Sequence, residues 1–309
     1  CFMMAKLPTL VDKDNVKTFL DSFDTFMTDC DGVLWSADTV LDRANLVINK
    51  LRELGKKIFL VTNNSTKSRE QYLKKCLKLG FNVEKEEIVG SAFVLASYLQ
   101  QRKFNKKVYM IGSEGLAEEL DAVGIRHIGL GPDPMVGTSH DLIDTVELDP
   151  EVGAVVIGFD GHISLPKIMK AASYVNLVPD CLFLATNTDE MFPFKGSNLT
   201  YPGTGCMVRA VECVLGRKAT VMGKPEPLIF EVVQQQHQVE PSRTVMVGDR
   251  CNTDILLGKN CGLQTLLVLT GVHQMTDLQC WVDGTDAALH KQLPQYYLPS
   301  LGSLLDLIQ

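Results

Sequence analysis

Short apolar, β-rich runs alternate with helical patterns along almost the whole chain. The runs at 25–29, 58–62, 108–111, 154–159, 182–186, 220–222, 244–248 and 265–269 read as strands. The stretches at 44–54, 68–79, 115–122, 166–176, 205–215 and 228–236 read as helices. Alternation of this kind predicts an α/β protein with a parallel sheet covered on both faces. No short internal repeat and no low-complexity tract interrupts it.

Two acidic strand ends lie far apart in the chain. The run Thr25-Phe26-Met27-Thr28 leads into Asp29-Cys30-Asp31-Gly32, and Thr244-Val245-Met246-Val247 leads into Gly248-Asp249-Arg250. Carboxylates gathered where strands of an open sheet end suit a hard cation. A site built from both needs one sheet holding Asp29, Thr62 and Asp249, with the intervening strands in an inserted domain. Polar flanks set the expected limits: residues 1–104 and 219–309 form a discontinuous core, and 105–218 an insertion.

Each motif has a chemical and a structural reading. Asp29 and Asp31 stand two residues apart on extended backbone, so their side chains face one side. One carboxylate can attack phosphorus, and the second can protonate a leaving alcohol and later take a proton from water. Taken alone, the run is also an ordinary acidic turn. Gly32 permits a sharp turn there, with backbone N–H groups free for a phosphate. Thr62-Asn63-Asn64-Ser65 offers a hydroxyl and N–H groups at a strand-to-helix turn, while Ser65, Thr66 or Ser68 can cap the helix. Lys224, in Gly223-Lys224-Pro225, follows the strand at 220–222 and is expected at the top of the sheet, where its ammonium would balance phosphate charge and hold the attacking carboxylate. Asn252 or Thr253 is expected to cap the next helix, with Asp254 in its first turn.

Charge and cysteine usage narrow the class. The 309 residues carry 30 basic and 37 acidic side chains, a net charge of −7. That argues against nucleic acid or an anionic membrane as the main partner; small anionic substrates remain open, because a local cation overrides the net charge, and the phosphoryl-transfer reading of the motifs makes a small phosphorylated metabolite the expected one. Nine cysteines fall at irregular spacing with no Cys-x-x-Cys or zinc pattern, which suggests reduced thiols and a cytoplasmic address. The start, Cys1-Phe2-Met3-Met4-Ala5-Lys6, does not read as a signal peptide.

The four motifs in this order resemble the haloacid dehalogenase superfamily of phosphatases, over residues 23–308. The runs Asp29-Cys30-Asp31-Gly32-Val33-Leu34-Trp35, Gly158-Phe159-Asp160, Pro202-Gly203-Thr204-Gly205 and Gly223-Lys224-Pro225 are similar to the group of animal phosphoglycolate and pyridoxal phosphatases. The resemblance implies a Rossmann-like, doubly wound core with a type-2 α/β cap, a Mg²⁺ cofactor and dimerisation through the cap. It implies Asp29 as nucleophile, Asp31 as general acid/base, and Asp29, the backbone carbonyl of Asp31 and Asp249 as metal ligands, with Asp254 behind them. It places Cys30, Thr62, Asn63, Asn64 and Lys224 around phosphate, although Cys30 also reads as a small buried residue. The segments 112–132 and 203–212 look closer to the phosphoglycolate subgroup, whereas 187–201 matches neither. Lys195 and Arg209 are candidates to meet a substrate carboxylate. Phe192 and Phe194 are candidates to line an apolar slot, though with Met191 they also read as ordinary packing. His162 reads as a structural or solvent-facing residue or as a substrate contact, and Trp35 as packing beneath the nucleophile loop.

Overall fold

The computed structural model describes residues 6–192 and 198–308. Residues 1–5, Phe194 and Lys195 fall outside them. The chain forms two compact units. One comprises the chain up to Thr62, Tyr72–Val89 and everything from Lys224 onward; the other comprises Asn63–Gln71 and Gly90–Gly223. Residues 63–71, 90–104 and 219–223 thus group with the inserted segment.

The first unit is built on a seven-stranded sheet. Its order is Thr9–Leu10, Tyr296–Leu298, Gln264–Val268, Thr244–Gly248, Thr25–Thr28, Lys57–Thr62 and Ile88–Gly90. The registered pairs are parallel. Thr25–Thr28 is buried throughout, as is Thr244–Gly248. Parallel strands covered on both faces have no solvent side, so their sequences are continuous apolar runs and not alternating ones. Helix Ala44–Glu53 buries Ala44, Val47, Ile48 and Leu51, a stripe at helical spacing. These join Phe19, Phe23, Phe26, Trp35 and Phe81 in one core cluster.

The second unit has its own five-stranded sheet, in the order Thr220–Val221, Leu182–Ala185, Val152–Ile157, Lys107–Ile111 and His127–Ile128. It too is parallel. Helix Leu165–Leu177 starts at a Ser164 cap with proline in its first turn. Helix Thr204–Leu215 ends on Gly216 in the left-handed region, φ +64°, a conformation glycine adopts without steric cost.

All eight expected strands are present, but the segment at 220–222 is placed differently from expectation. It pairs with Leu182–Ala185 in the second sheet, so Lys224 does not stand on a strand of the seven-stranded sheet. It follows a short strand of the other sheet and enters the first unit as a connecting residue. No described helix is long and apolar enough to cross a membrane.

Candidate active site

Strand Thr25–Thr28 lies between Thr244–Gly248 and Lys57–Thr62, so Asp29, Asp249 and Thr62 come from the carboxyl ends of three neighbouring strands. This is where ligand crevices form in open parallel sheets, because the chain leaves the strand on either side in opposite directions. The Asp29 N–H donates to the Val247 carbonyl at 2.8 Å and ties the first acidic run to the strand bearing the second.

Lys224 sits in the middle. Its Nζ is 2.5 Å from Asp29 Oδ1, 2.7 Å from Asp254 Oδ1 and 3.1 Å from the Val61 carbonyl, which it donates to. The lysine is 3 % exposed, Asp249 3 %, Asp254 1 % and Asp29 9 %. Oxygens of Asp29, Asp249 and Asp254 all lie within 4.8 Å of one another. Two carboxylates therefore share one buried ammonium, with the carboxylate of Asp249 alongside. Burial pushes the Asp29 carboxyl well above the usual range; Lys224 opposes this, and Asp254 and Asp249 add to it. Burial, helped by Asp254, pushes Asp249 up to about 6. For Lys224, burial works against the ammonium, but Asp254 and Asp29 outweigh it and hold its pKa above the ordinary lysine value.

The donor set fits a divalent cation. Asp249 accepts the Val272 N–H on Oδ2 at 2.9 Å. Asp254 accepts the Arg250 N–H on Oδ2 at 3.1 Å and has Lys224 on its other oxygen, so it is already engaged on both sides and suits a supporting place. Asn252 and Thr253 do not cap this segment. The turn Cys251–Ile255 is a π-type turn with no side-chain cap from its N-cap residue, and Asp254 itself reaches back to the Arg250 N–H.

Two glycines make the room. A Cβ at Gly32, where φ is +92°, would come within 2.7 Å of Asp249 Oδ2, and one at Gly271 within 1.7 Å. Thr270-Gly271-Val272 is a part of the site that sequence reasoning missed. Thr270 Oγ1 donates to the Gly32 carbonyl at 2.5 Å, and Val272 orients Asp249. Its signal was a Thr-Gly pair just past the strand Gln264–Val268.

The other expected residues divide. Asp31 is part-exposed and accepts the indole N–H of Trp35 on Oδ1 at 3.0 Å. Thr62 is buried with Oγ1 3.4 Å from the Tyr72 hydroxyl. Cys30 does not present a thiol to substrate: its side chain is fully buried in the core cluster, and burial, with Asp29 and Asp31 nearby, pushes the thiol well above its usual range. Only its backbone is left to serve the loop.

Within the second unit, the Asn63 amide donates to Asp189 Oδ1 at 3.2 Å. The Asn64 side-chain oxygen Oδ1 accepts from the Thr66 N–H at 3.0 Å and from the Thr66 hydroxyl at 2.7 Å, a local turn. Ser68 is the helix cap, exchanging hydrogen bonds with Gln71. Arg209 is paired with Glu212 at 2.7 Å and mostly exposed. His162 is exposed, and its backbone N–H donates to Asp160. Phe192 packs edge-on to Phe159 at 5.1 Å and to Tyr201 at 6.2 Å.

Comparison with known proteins agrees with this geometry. The family profile described as haloacid dehalogenase-like hydrolase matches residues 26–126, and a second profile of HAD-like hydrolases matches 221–302. A glycerol-3-phosphate phosphatase of Mus musculus is 42 % identical over 270 residues, 85 % of this chain and 84 % of that protein. Phosphoglycolate phosphatase 2 of Arabidopsis thaliana is 39 % identical over 98 % of this chain and 99 % of its own length. A solved glycerol phosphate phosphatase of Mycobacterium tuberculosis in complex with magnesium superposes with a TM-score of 0.73 at 26 % identity, covering 92 % of this chain and 77 % of that one. The chain belongs to the haloacid dehalogenase-like hydrolases, and it is a phosphatase of that family.

Proposed function

We propose that this phosphatase hydrolyses small aliphatic phosphate monoesters through an aspartyl-phosphate, with 2-phosphoglycolate as its first substrate. The observation that carries the reading is the buried contact of Lys224 with Asp29, flanked by Asp249 and Asp254 and followed by Asp31. A scaffold that only bound phosphate would need no second carboxylate at Asp31.

Asp29 attacks phosphorus, forming an O–P bond as the ester O–P bond breaks. Asp31 gives its proton to the departing alkoxide. Asp31 then takes a proton from water as that water attacks phosphorus, and the bond to Asp29 breaks, returning free phosphate. Lys224 keeps the Asp29 carboxylate in place and balances charge, and Thr62, with the Asn63 amide, supports the phosphoryl oxygens. A Mg²⁺ held by Asp29, the Asp31 carbonyl and Asp249, with Asp254 supporting them, would supply positive charge against the transferring group. In this reading residues 105–218 act as a cap that chooses the leaving group and excludes bulk water.

The relative matched over nearly the whole chain is named for phosphoglycolate, which supports that substrate. A second reading, glycerol 3-phosphate, is supported by the somewhat higher identity to the mouse protein. Both are two- or three-carbon phosphates. Pyridoxal 5′-phosphate is the aromatic alternative. A panel measuring phosphate release with and without Mg²⁺ tests the proposal. The expected kcat/KM for 2-phosphoglycolate exceeds that for pyridoxal 5′-phosphate at least about tenfold, roughly 1.4 kcal/mol of differential transition-state binding. Preference for pyridoxal 5′-phosphate would overturn the substrate; undiminished hydrolysis in excess chelator would overturn the metal.

A further inference from the structure

Trp35 is fully buried, yet its one polar atom points at an acid on the reacting loop. The indole N–H donates to Asp31 Oδ1 at 3.0 Å. The ring is fixed on several sides. Phe81 meets it edge-on at 5.5 Å, Tyr72 stacks at 6.3 Å, and the Lys75 ammonium lies 4.5 Å over its face. Its backbone is fixed as well: the Trp35 carbonyl accepts the Gly32 N–H at 2.8 Å, and residues 35–36 pair with 39–40. Tyr72 carries the same assembly to Thr62, 3.4 Å from its hydroxyl.

Packing alone does not call for tryptophan here. A phenylalanine or leucine would supply apolar volume without burying a donor that needs a partner. An indole N–H donates only and cannot accept. Whenever Asp31 carries a proton, that proton therefore belongs on Oδ2, because Oδ1 is receiving a hydrogen bond.

We propose that Trp35 is a positioning residue for proton transfer: its indole N–H holds Oδ1 of Asp31 and so presents Oδ2 to the leaving oxygen. This rests on the reading of Asp31 as general acid/base and adds a residue that no motif of the chain assigns to the reaction. Tyr72 and Lys75 act one step further out, by holding the indole plane.

The test replaces Trp35 with β-(3-benzothienyl)alanine, which keeps the bicyclic shape and substitutes sulfur for the N–H. Formation of the phospho-enzyme is followed in a single turnover. The rate with 2-phosphoglycolate, whose alkoxide needs the proton, is expected to fall about tenfold or more. With p-nitrophenyl phosphate, which leaves without much help, it is expected to fall less than about threefold, at an unchanged melting temperature. Equal loss on both substrates, or loss on neither, overturns the proposal.

A second arm needs no turnover. The chain has two tryptophans, Trp35 and Trp281, so two indole ¹⁵N–¹H signals are expected. Asp31→Asn should move the Trp35 signal and leave that of Trp281; an indifferent Trp35 signal overturns the contact. A responsive signal in a protein that forms no phospho-enzyme would instead remove the phosphatase chemistry beneath the proposal, and the positioning role with it.

Discussion

Two buried charge clusters in this chain are built on opposite plans. In the second unit, Lys167 and Asp160 are 0 % and 2 % exposed and meet at 2.5 Å, one charge to one charge. In the first, Lys224 is shared by Asp29 and Asp254 with Asp249 alongside. The first arrangement is neutral, and its Asp160 also receives the His162 N–H. It holds a loop. The second leaves a surplus of negative charge where water is excluded, and Asp29 and Asp249 respond by holding their protons more tightly. Folding gains nothing from such a surplus. Buried imbalance of this kind, at the ends of neighbouring strands, marks a place prepared for a cation and a reacting anion.

The largest difference between the two clusters is expected in activity. Asp29→Asn is expected to fold normally and to lose more than about a thousandfold in turnover, since an amide is no nucleophile. Steady-state phosphate release on pure protein, with circular dichroism as the control, reads this. Near-normal release from the variant would mean that another group attacks.

Next comes a contrast in the sign of stability. Asp160→Asn strips a balanced pair and leaves Lys167 buried alone, at a cost of about 3–5 kcal/mol. Asp249→Asn removes one of three like charges while an amide oxygen can still take the Val272 N–H. It should leave the metal-free protein no less stable at neutral pH, and more stable by up to roughly 3 kcal/mol, the worth of an Asp held near its shifted value. Chemical denaturation of the two variants measures both. Destabilisation by Asp249→Asn as large as that by Asp160→Asn would erase the distinction drawn between the clusters.

The smallest effect is a pH dependence. Burial pushes the Asp249 carboxyl up to about 6 in the folded chain, above the ordinary aspartate range. A raised folded pKa means that its favourable contribution is complete below about pH 4 and is lost as pH rises through about 6. Mg²⁺ competes with that proton. Its stabilisation should therefore be small near about pH 5, grow through about pH 6 and be full by about pH 7.5. Thermal melts with and without Mg²⁺ follow this; equal shifts at both ends of the range would contradict it.

Much of this was legible in the sequence. The buried parallel strands announced themselves because a strand covered on both faces is apolar throughout, and Asp29, Thr62 and Asp249 could be placed at their ends before any coordinates. Edge strands of two or three residues, such as Thr9–Leu10 and His127–Ile128, carry too little pattern to find. Helix Ser91–Gln101 was hidden for a different reason: it is buried on nearly every side, so no amphipathic stripe appears. Which sheet the residues at 220–221 join depends on long-range pairing, and sequence could not tell the partner. The contacts of Trp35 with Asp31 and of Tyr72 with Thr62 are matters of side-chain direction, which spacing does not encode. Cys30 sits at a bend just past the strand Thr25–Thr28 with its side chain in the core, the small buried residue that its sequence also allowed.

In the proposed reaction the carboxylate of Asp29 is itself phosphorylated. Mixing the protein with Mg²⁺ and 2-phosphoglycolate, quenching with acid and reducing with tritiated borohydride converts an aspartyl phosphate to labelled homoserine. Peptide mapping should find that homoserine at position 29, and Asp29→Asn should carry no label. Label at any other acidic residue, or rapid phosphate release with no label at all, would contradict the mechanism.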